Sequence, residues 1–313
     1  MEDNKVPFVW GDKRYHALNY HLRQRFGEKV MKVSLNAGLT CPNRDGTIGT
    51  GGCIFCCPQG SGACAGDPEH EIARQFKTIR ERIQKKWPQG KYIAYFQAYS
   101  NTYADPTYLK GLYEEALAQD DVIGLSISTR PDCLPEETLE LLSELHERTY
   151  LWVEMGLQSI HNKTLERIQR GHDVDTFYEA LERLRARNIR TCAHIIYGLP
   201  GETEEDMMAT GEAVAAMDIQ GLKFHSLHLM KGTALVQEYE AGTFEFLDQA
   251  TYTRRVVDTL EILKPSVVIQ RLTGDAPRHL LLGPNWINRK WLVLQGIDDL
   301  LLERNSWQGK KWT

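Results

Sequence analysis

Residues 36–66 have the sequence NAGLTCPNRDGTIGTGGCIFCCPQGSGACAG. Five of the seven cysteines of the chain fall in this glycine-rich stretch. Glycine lets the backbone bend back at low steric cost, and thiolates prefer iron, zinc or copper(I) among the metals. We therefore expect a metal site in this loop. The five cysteines are Cys41, Cys53, Cys56, Cys57 and Cys64.

The spacing of three of these cysteines indicates which metal is bound. Cys53 and Cys56 form a C-x-x-C pair with Phe55 before the second cysteine, and eleven residues separate the pair from Cys41. A structural zinc site would need a second C-x-x-C pair or a histidine pair, and the sequence has neither. An iron–sulfur cube held by three cysteines leaves one iron free for an outside ligand, as reductive cleavage of S-adenosylmethionine (SAM) requires. A zinc knuckle or a redox-active cysteine pair is the alternative.

The chain has 313 residues and a formal net charge of -5, and its charge and hydrophobicity are typical of an ordinary enzyme. No apolar run is long enough for a membrane span, and residues 1–32 are too polar for a signal peptide, so we expect no membrane partner. Clustered thiols in odd number favour a reducing, cytoplasmic location. The first 50 residues hold eight Lys or Arg against five Asp or Glu, and residues 264–313 hold eight against four. Such basic ends are compatible with an RNA partner and equally with solvated surface charge.

Beyond the cysteine loop, apolar segments of strand length alternate with amphipathic segments of helical length. Strands buried on both faces form parallel sheets with helical crossovers, and the chemistry of such folds lies at the carboxyl ends of the strands. The sequence therefore predicts an α/β fold, a partial (β/α)6 TIM-like barrel. We expect an N-terminal extension over 1–29, a core barrel over 30–264 and a C-terminal extension over 265–313 packed on the core. The predicted strands are 30–36, 91–97, 122–128, 150–155, 190–197 and 221–228, with one more within 267–277.

The motifs of the chain resemble the radical SAM superfamily. Motif by motif they are most similar to its YhcC/YtqA-like members, which are relatives of Elongator subunit 3. The wide gap before the C-x-x-C pair fits that group, whereas the GGE motif of the superfamily is missing and no acetyltransferase domain is expected. The matching segments are KRYH at 13–16, CPNRDGT at 41–47, GGCIFC at 51–56, STRPD at 128–132, VEMGLQS at 153–159, RGH at 170–172, YGLPGE at 197–202 and RLTGDAP at 271–277.

This resemblance implies a radical SAM barrel in which Cys41, Cys53 and Cys56 hold a [4Fe–4S] cluster that binds SAM. Glu154 interrupts an apolar strand, where a carboxylate is costly without a partner, so we expect it to bind the ribose hydroxyls or the amino group of SAM. Arg170 is favoured over Arg167 as a fork for the SAM carboxylate, with surface arginines as the alternative. All residues expected to bind SAM are Gln97, Ser128, Arg130, Glu154, Gln158, Arg170, Tyr197 and Gly198.

The resemblance also implies the reaction class. A flavodoxin or ferredoxin would reduce the cluster, and the 5′-deoxyadenosyl radical would act on tRNA, converting the wobble nucleoside 5-carboxymethylaminomethyl-uridine to 5-aminomethyl-uridine. Gln270, Arg271, Thr273 and Asp275 are candidates for substrate contact. A radical SAM enzyme for a small molecule or porphyrin is one alternative, and a non-enzymatic metal-bearing RNA adaptor is the other. The sequence assigns no role to Cys57 and Cys64.

Overall fold

The computed structural model describes residues 10–60, 62 and 65–313. Residues 1–9 of the predicted N-terminal extension and Cys64 lie outside these residues. Nine strands occur in the described part of the chain, and seven of them form one parallel sheet in the order β1-β2-β3-β4-β5-β6-β8. The strands are β1 (Val30–Leu35), β2 (Lys91–Phe96), β3 (Val122–Thr129), β4 (Tyr150–Gln158), β5 (Arg190–Tyr197), β6 (Gly221–Ser226), β7 (Leu229–Met230), β8 (Val268–Arg271) and β9 (Leu281–Gly283).

Helices connect successive strands and cover the outer face of the sheet, as right-handed crossovers require. This confirms the predicted α/β class and the partial TIM-like barrel, and the strand expected within 267–277 joins the sheet as its seventh member. The helices are α1 (Leu18–Phe26), α2 (Ile72–Gln84), α3 (Pro106–Leu117), α4 (Glu136–Arg148), α5 (Asn162–Arg167), α6 (Val174–Arg185), α7 (Glu204–Ala216), α8 (Leu235–Glu240), α9 (Gln249–Ile262) and α10 (Lys290–Glu303).

Alternation along the strands separates two environments, because successive side chains point to opposite faces. In β4, Val153 and Met155 are fully buried in the core between sheet and helices. Trp152 belongs to a smaller apolar cluster inside the barrel, and Glu154 comes next on that inner face. The interior of the barrel is thus apolar near the amino ends of the strands and polar from the level of Glu154 toward their carboxyl ends.

The two edges of the sheet, β1 and β8, approach each other on this inner side. Lys32 Nζ of β1 donates a hydrogen bond to Gln270 Oε1 of β8 over 2.8 Å. The segment before α1 fills the remaining gap, since Ile269 N donates to His16 O over 2.8 Å and Ala17 bridges to Ile269. The curvature therefore places residues from both edges beside one central space.

The C-terminal segment packs against the body of the protein. Gln308 Nε2 donates to the carbonyl oxygens of Lys264 and Val267, each over 2.9 Å, and Gln308 Oε1 accepts from His16 N over 2.8 Å. Trp286 Nε1 donates to Leu247 O over 3.2 Å. Tryptophan and glutamine side chains in this segment thus serve as anchors.

Three features differ from the sequence-based expectation. The short ladder of β7 and β9 and the helices α8 and α10 were not predicted. Before α2, Asp67 accepts a hydrogen bond from Glu69 N over 3.1 Å in a turn, and Glu71 is the N-cap residue. None of the helices in the described part of the chain is both long and apolar enough to cross a membrane.

Leu142 tests the helix–sheet core, because it lies on α4 with no exposed surface. We expect Leu142→Ala to lower the free energy of unfolding by about 2–5 kcal/mol, from lost apolar contacts and the cavity that remains. Urea unfolding followed by circular dichroism measures the change. Leu302→Ala is the matched control, since that leucine is 62% exposed on α10 and its loss should leave the midpoint almost unchanged. Equal effects of the two substitutions would contradict this assignment of the core.

Candidate metal and cofactor site

A cavity of about 380 Å³ lies at the carboxyl ends of the sheet strands. The loop between β1 and α2 supplies four cysteines to its lining, and the ends of β3, β4, β5, β6 and β8 supply polar side chains. All four are free thiols, as are the other two described cysteines. The cysteines of the cavity are Cys41, Cys53, Cys56 and Cys57.

Local hydrogen bonds fix the shape of the cysteine loop. Cys56 N donates to Cys53 O over 2.9 Å, which closes the tight turn of the C-x-x-C pair. Arg44 Nη2 donates to the carbonyl oxygens of Cys56 and Cys57 over 2.8 and 2.9 Å. Gly52 has φ 74°, and a Cβ atom there would stand 2.8 Å from Arg44 Nε. Glycine at this position therefore lets the guanidinium reach across the loop.

The sulfur of Cys53 has two donors directed at it. Arg170 Nη1 and Asn43 Nδ2 each lie 3.7 Å from Cys53 Sγ. Arg170 Nη2 also donates to Gly156 O over 2.9 Å, and a Cβ atom on Gly156 would stand 2.6 Å from that nitrogen. Donors of this kind stabilise a thiolate, whether it is free or bound to iron.

Cys56 has a different electrostatic environment. Burial raises its pKa to about 11, the neighbouring Cys53 adds to the increase, and Arg44 partly opposes it. A buried thiol of this kind stays protonated at neutral pH unless a metal displaces the proton. Among the described residues, no three His, Cys, Asp or Glu side chains stand close enough together to hold a single metal ion. A set of thiols around a shared cavity, with donors to sulfur and a nearby guanidinium, fits an iron–sulfur cluster.

The structure brings six of the eight residues expected to bind SAM into the same cavity as the cysteines. Arg130 is already engaged there. Its guanidinium donates to both carboxylate oxygens of Asp132 over 2.9 and 2.7 Å and to Arg170 O over 2.8 Å. Arg130 therefore positions the backbone at Arg170. The six residues are Gln97, Ser128, Arg130, Glu154, Gln158 and Arg170.

Tyr197 and Gly198 are not in the cavity lining. The Tyr197 side chain lies on the outer face of β5, where its hydroxyl is 2.8 Å from Thr259 Oγ1 of α9. Gly198 has φ 87°, and a Cβ atom there would stand 3.2 Å from Leu247 Cβ. Ile196, the residue before Tyr197 on β5, faces the cavity instead. Strand alternation, applied from Glu154 to its neighbours, would have favoured Ile196 over Tyr197.

Glu154 lies at the base of the cavity in a network of buried charges. Its carboxylate pairs with Lys32 Nζ over 2.6 Å and with Lys223 Nζ, and it is 3.0 Å from His194 Nε2. Burial alone would raise the pKa of Glu154, but the two ammonium groups outweigh it and hold that pKa well below its usual value. The carboxylate is thus ionised and fully partnered by the protein.

These partners of Glu154 were not predicted from the sequence. Lys32 and Lys223 each interrupt an apolar strand as Glu154 does, and a charged side chain there is costly without a partner. His194 is neutral, because burial and the charge of Lys223 lower its pKa to about 4. The result is one ion cluster around Glu154, with the carboxylate on β4 and two lysine cations on β1 and β6.

Comparison with known proteins identifies the family. Residues 43–214 match the model described as the radical SAM superfamily, and residues 219–303 match the radical SAM C-terminal domain. The chain belongs to the radical SAM superfamily. It is 51% identical to the uncharacterized protein YtqA of Bacillus subtilis, over 99% of this chain and 96% of that protein. It is 37% identical to protein YhcC of Escherichia coli, over 93% and 94%.

More distant similarity reaches a protein named for tRNA and a solved structure of Elp3. The chain is 28% identical to the tRNA uridine(34) acetyltransferase of Dehalococcoides mccartyi, over 51% of this chain and 35% of that protein. The solved structure of Elp3 from Methanocaldococcus infernus, with residues 1–46 deleted, superposes with a TM-score of 0.69 at 17% identity, over 89% of this chain and 64% of that one. The chain is therefore a YhcC/YtqA-like radical SAM protein related to Elongator subunit 3, with the same fold.

The radical SAM barrel should depend on the charge of Glu154. Glu154→Gln leaves Lys32 and Lys223 buried without an anion, so we expect a loss of about 3–5 kcal/mol of stability at pH 7. Because the folded-state pKa of Glu154 is depressed, its contribution is fully present above about pH 4.3, the pKa in the unfolded chain. The contribution is lost as the pH falls through the folded-state pKa.

Urea unfolding between pH 7 and pH 3.5 measures this dependence. The gap between the native protein and Glu154→Gln should be largest at pH 7 and should narrow toward pH 3.5. Glu114→Gln is the control, since Glu114 pairs with Arg148 at the surface and little change is expected. A gap that stays constant with pH would show that the Glu154 carboxylate is not the group responsible.

Proposed function

We propose that this radical SAM protein modifies the wobble uridine of tRNA, converting 5-carboxymethylaminomethyl-uridine to 5-aminomethyl-uridine. Cys41, Cys53 and Cys56 would hold a [4Fe–4S] cluster that binds SAM. The observation that carries the proposal is the shared cavity, in which these thiols line one space with Arg170 and the charge network of Glu154. Cofactor binding and substrate entry would thus occur at one end of the barrel.

When bound, the cluster and SAM would supply a 5′-deoxyadenosyl radical that takes a hydrogen atom from the substrate. The favoured position is the carbon between the amine nitrogen and the carboxylate, because both groups stabilise the resulting radical. Loss of one electron and of the N–H proton then gives an imine, and that electron replaces the one used to cleave SAM. Addition of water releases glyoxylate and leaves the 5-aminomethyl group on the base.

The protein would contribute orientation and electrostatics. Arg170 stands beside Cys53 and has a second nitrogen engaged by Gly156 O, so its position is fixed before SAM binds. The Glu154 carboxylate is saturated by Lys32 and Lys223, so its proposed role is to support the cavity floor and not to bind SAM. A fixed polar floor over an apolar layer keeps the shape of the cavity, so a radical formed there would meet a positioned substrate.

Two observations favour tRNA over a small molecule as substrate. The first is similarity to a protein named as a tRNA uridine(34) acetyltransferase. The second is the surface near the cavity, where Lys231, Arg278 and Lys290 are exposed and Trp291 is 65% exposed. Lys290 Nζ lies 3.0 Å from Asp275, a residue of the cavity lining. Basic and aromatic groups together suit phosphate contact and base stacking.

A small-molecule substrate is the second candidate, and the net charge of -5 favours it. We further propose that the enzyme acts in the cytoplasm, where its free thiols stay reduced, and receives electrons from a flavodoxin or ferredoxin.

Anaerobic reconstitution tests the reaction directly. The protein is incubated with SAM, dithionite and tRNA from a strain that accumulates the carboxymethylaminomethyl nucleoside, and products are measured by mass spectrometry. We expect 5′-deoxyadenosine, glyoxylate and the 5-aminomethyl nucleoside in equal amounts. Formation of 5′-deoxyadenosine at the same rate without tRNA, and no change in the nucleoside, would favour the small-molecule alternative.

Cysteine variants test the proposed ligands. We expect Cys41→Ala, Cys53→Ala and Cys56→Ala each to lose most of the iron and sulfide after reconstitution, because three thiolates are needed to hold the cube. Cys133→Ala and Cys192→Ala are matched controls, since both cysteines are buried but do not line the cavity and should leave iron content unchanged.

Cys57→Ala tests whether Cys57, and not Cys56, is the third ligand of the cluster. Cys57 lines the same cavity, yet it lies outside the C-x-x-C spacing. Retention of full iron and sulfide in Cys57→Ala is the expected result. Loss of iron from Cys57→Ala, with retention in Cys56→Ala, would require a different set of ligands.

A further inference from the structure

Arg271 is the last residue of β8, and its half-buried side chain lines the cavity. Its guanidinium makes no hydrogen bond or ion pair with any residue that the structure describes. Glu154 of the lining pairs with two lysines, Arg130 with Asp132 and Asp275 with Lys290. The guanidinium groups of Arg44 and Arg170 have no anion among the described residues either, but both donate to backbone carbonyl oxygens, whereas Arg271 does not. Arg271 is thus a cation in a confined space with no anion provided by the described part of the chain.

Arg271 is held in place on both sides along the chain. The preceding residue, Gln270, accepts a hydrogen bond from Lys32 over 2.8 Å. The carbonyl oxygen of Leu272, the next residue, accepts from the Tyr252 hydroxyl over 2.9 Å. The backbone that carries the guanidinium is therefore fixed before any ligand binds.

The following turn lies tightly against the end of β6. Gly274 N donates to Ser226 Oγ over 3.1 Å, and a Cβ atom on Gly274 would stand 2.9 Å from Ser226 Oγ and 3.0 Å from His228 Nδ1. Only glycine fits this contact without displacement. The contact brings the segment that contains Arg271 next to His225 of β6 and to His228, which follows β6.

A second polar group of the cavity also has no partner. His225 lines the cavity, and its Nε2 atom is buried without a hydrogen bond to any described residue. Burial above all, and then the nearby charge of Arg271, holds the pKa of His225 well below its usual value. A neutral imidazole at this position can donate one directed hydrogen bond from Nε2.

We propose that Arg271 binds the carboxylate of the substrate, with His225 Nε2 as a second donor. This inference rests on the proposed function, in which the substrate carries a carboxymethyl arm. A guanidinium fork matches a carboxylate in two parallel hydrogen bonds, and a confined cation without an anion favours a charged ligand over a neutral one. Binding of the arm at Arg271 holds the adjacent methylene carbon, which is the carbon to be oxidised, at a fixed place in the cavity.

SAM also carries a carboxylate, and two observations assign Arg271 to the substrate instead. Arg170 stands 3.7 Å from Cys53 Sγ, so the cysteine side of the cavity already has its own guanidinium. Arg271 lies among His194, His225 and His228, whose pKa values its charge helps to lower after the larger effect of burial. The two arginines thus serve different regions of one cavity.

Binding measurements on the full-length, reconstituted protein test the proposal. The probes are two synthetic anticodon stem-loops, one with 5-carboxymethylaminomethyl-uridine and one in which a carboxamide replaces the carboxylate. We expect the native protein to bind the carboxylate form about 10- to 100-fold more tightly, as charge-assisted hydrogen bonds imply. Arg271→Gln should abolish this preference, and Arg271→Lys should retain part of it.

Arg82→Gln is the matched control, because Arg82 is exposed on α2, outside the cavity lining, and should leave the preference intact. The affinity for SAM, measured in the same samples, should be unchanged in Arg271→Gln. Loss of SAM affinity would assign Arg271 to the SAM carboxylate and overturn the proposal, and so would a preference that survives in Arg271→Gln. Failure of the native protein to convert the nucleoside would reject the proposed function itself. If the native protein does convert the nucleoside, the outcome of the binding assay bears on the role of Arg271 alone.

Discussion

The ion cluster around Glu154 is the constraint on which the barrel depends. A carboxylate with no exposed surface is stable only if cations and hydrogen-bond donors surround it. Those groups come from β1, β3, β5 and β6, and Lys32 extends the network to β8 through Gln270. The strands that supply these groups must curve around Glu154. The pairing of this carboxylate therefore requires the curvature of the sheet.

The layers of the interior follow from this arrangement. Below the ion cluster, Trp152 and Cys192 belong to an apolar plug near the amino ends of the strands. Above it, the strands end and the cysteine loop crosses the opening, held by Arg44 and by a hydrogen bond from Ile54 N to Ile168 O of 3.1 Å. A polar cavity with a closed floor and a loop at its mouth results, which confines a bound cofactor and substrate to one space.

Much of this could be predicted from the sequence, since strand and helix periodicity is local and the cysteine spacing is a compact motif. The seven-stranded parallel sheet and the radical SAM family are therefore confirmed. Partners that are far apart in sequence were missed. Lys223 is 69 residues from Glu154, and nothing in the local pattern pairs them. Side-chain direction was missed at Tyr197, where a family motif was carried over without counting the alternation along β5. Helix α10 was not predicted, because residues 265–313 were expected only to form an extension packed on the core and were considered for their basic charge.

Anaerobic electron paramagnetic resonance of the reduced, reconstituted protein, with and without SAM, tests the central claim most directly. A cluster held by three cysteines has one iron open to an outside ligand, so the account predicts a [4Fe–4S] signal whose shape changes when SAM is added. Zinc in place of iron, or an iron signal that does not respond to SAM, would contradict it.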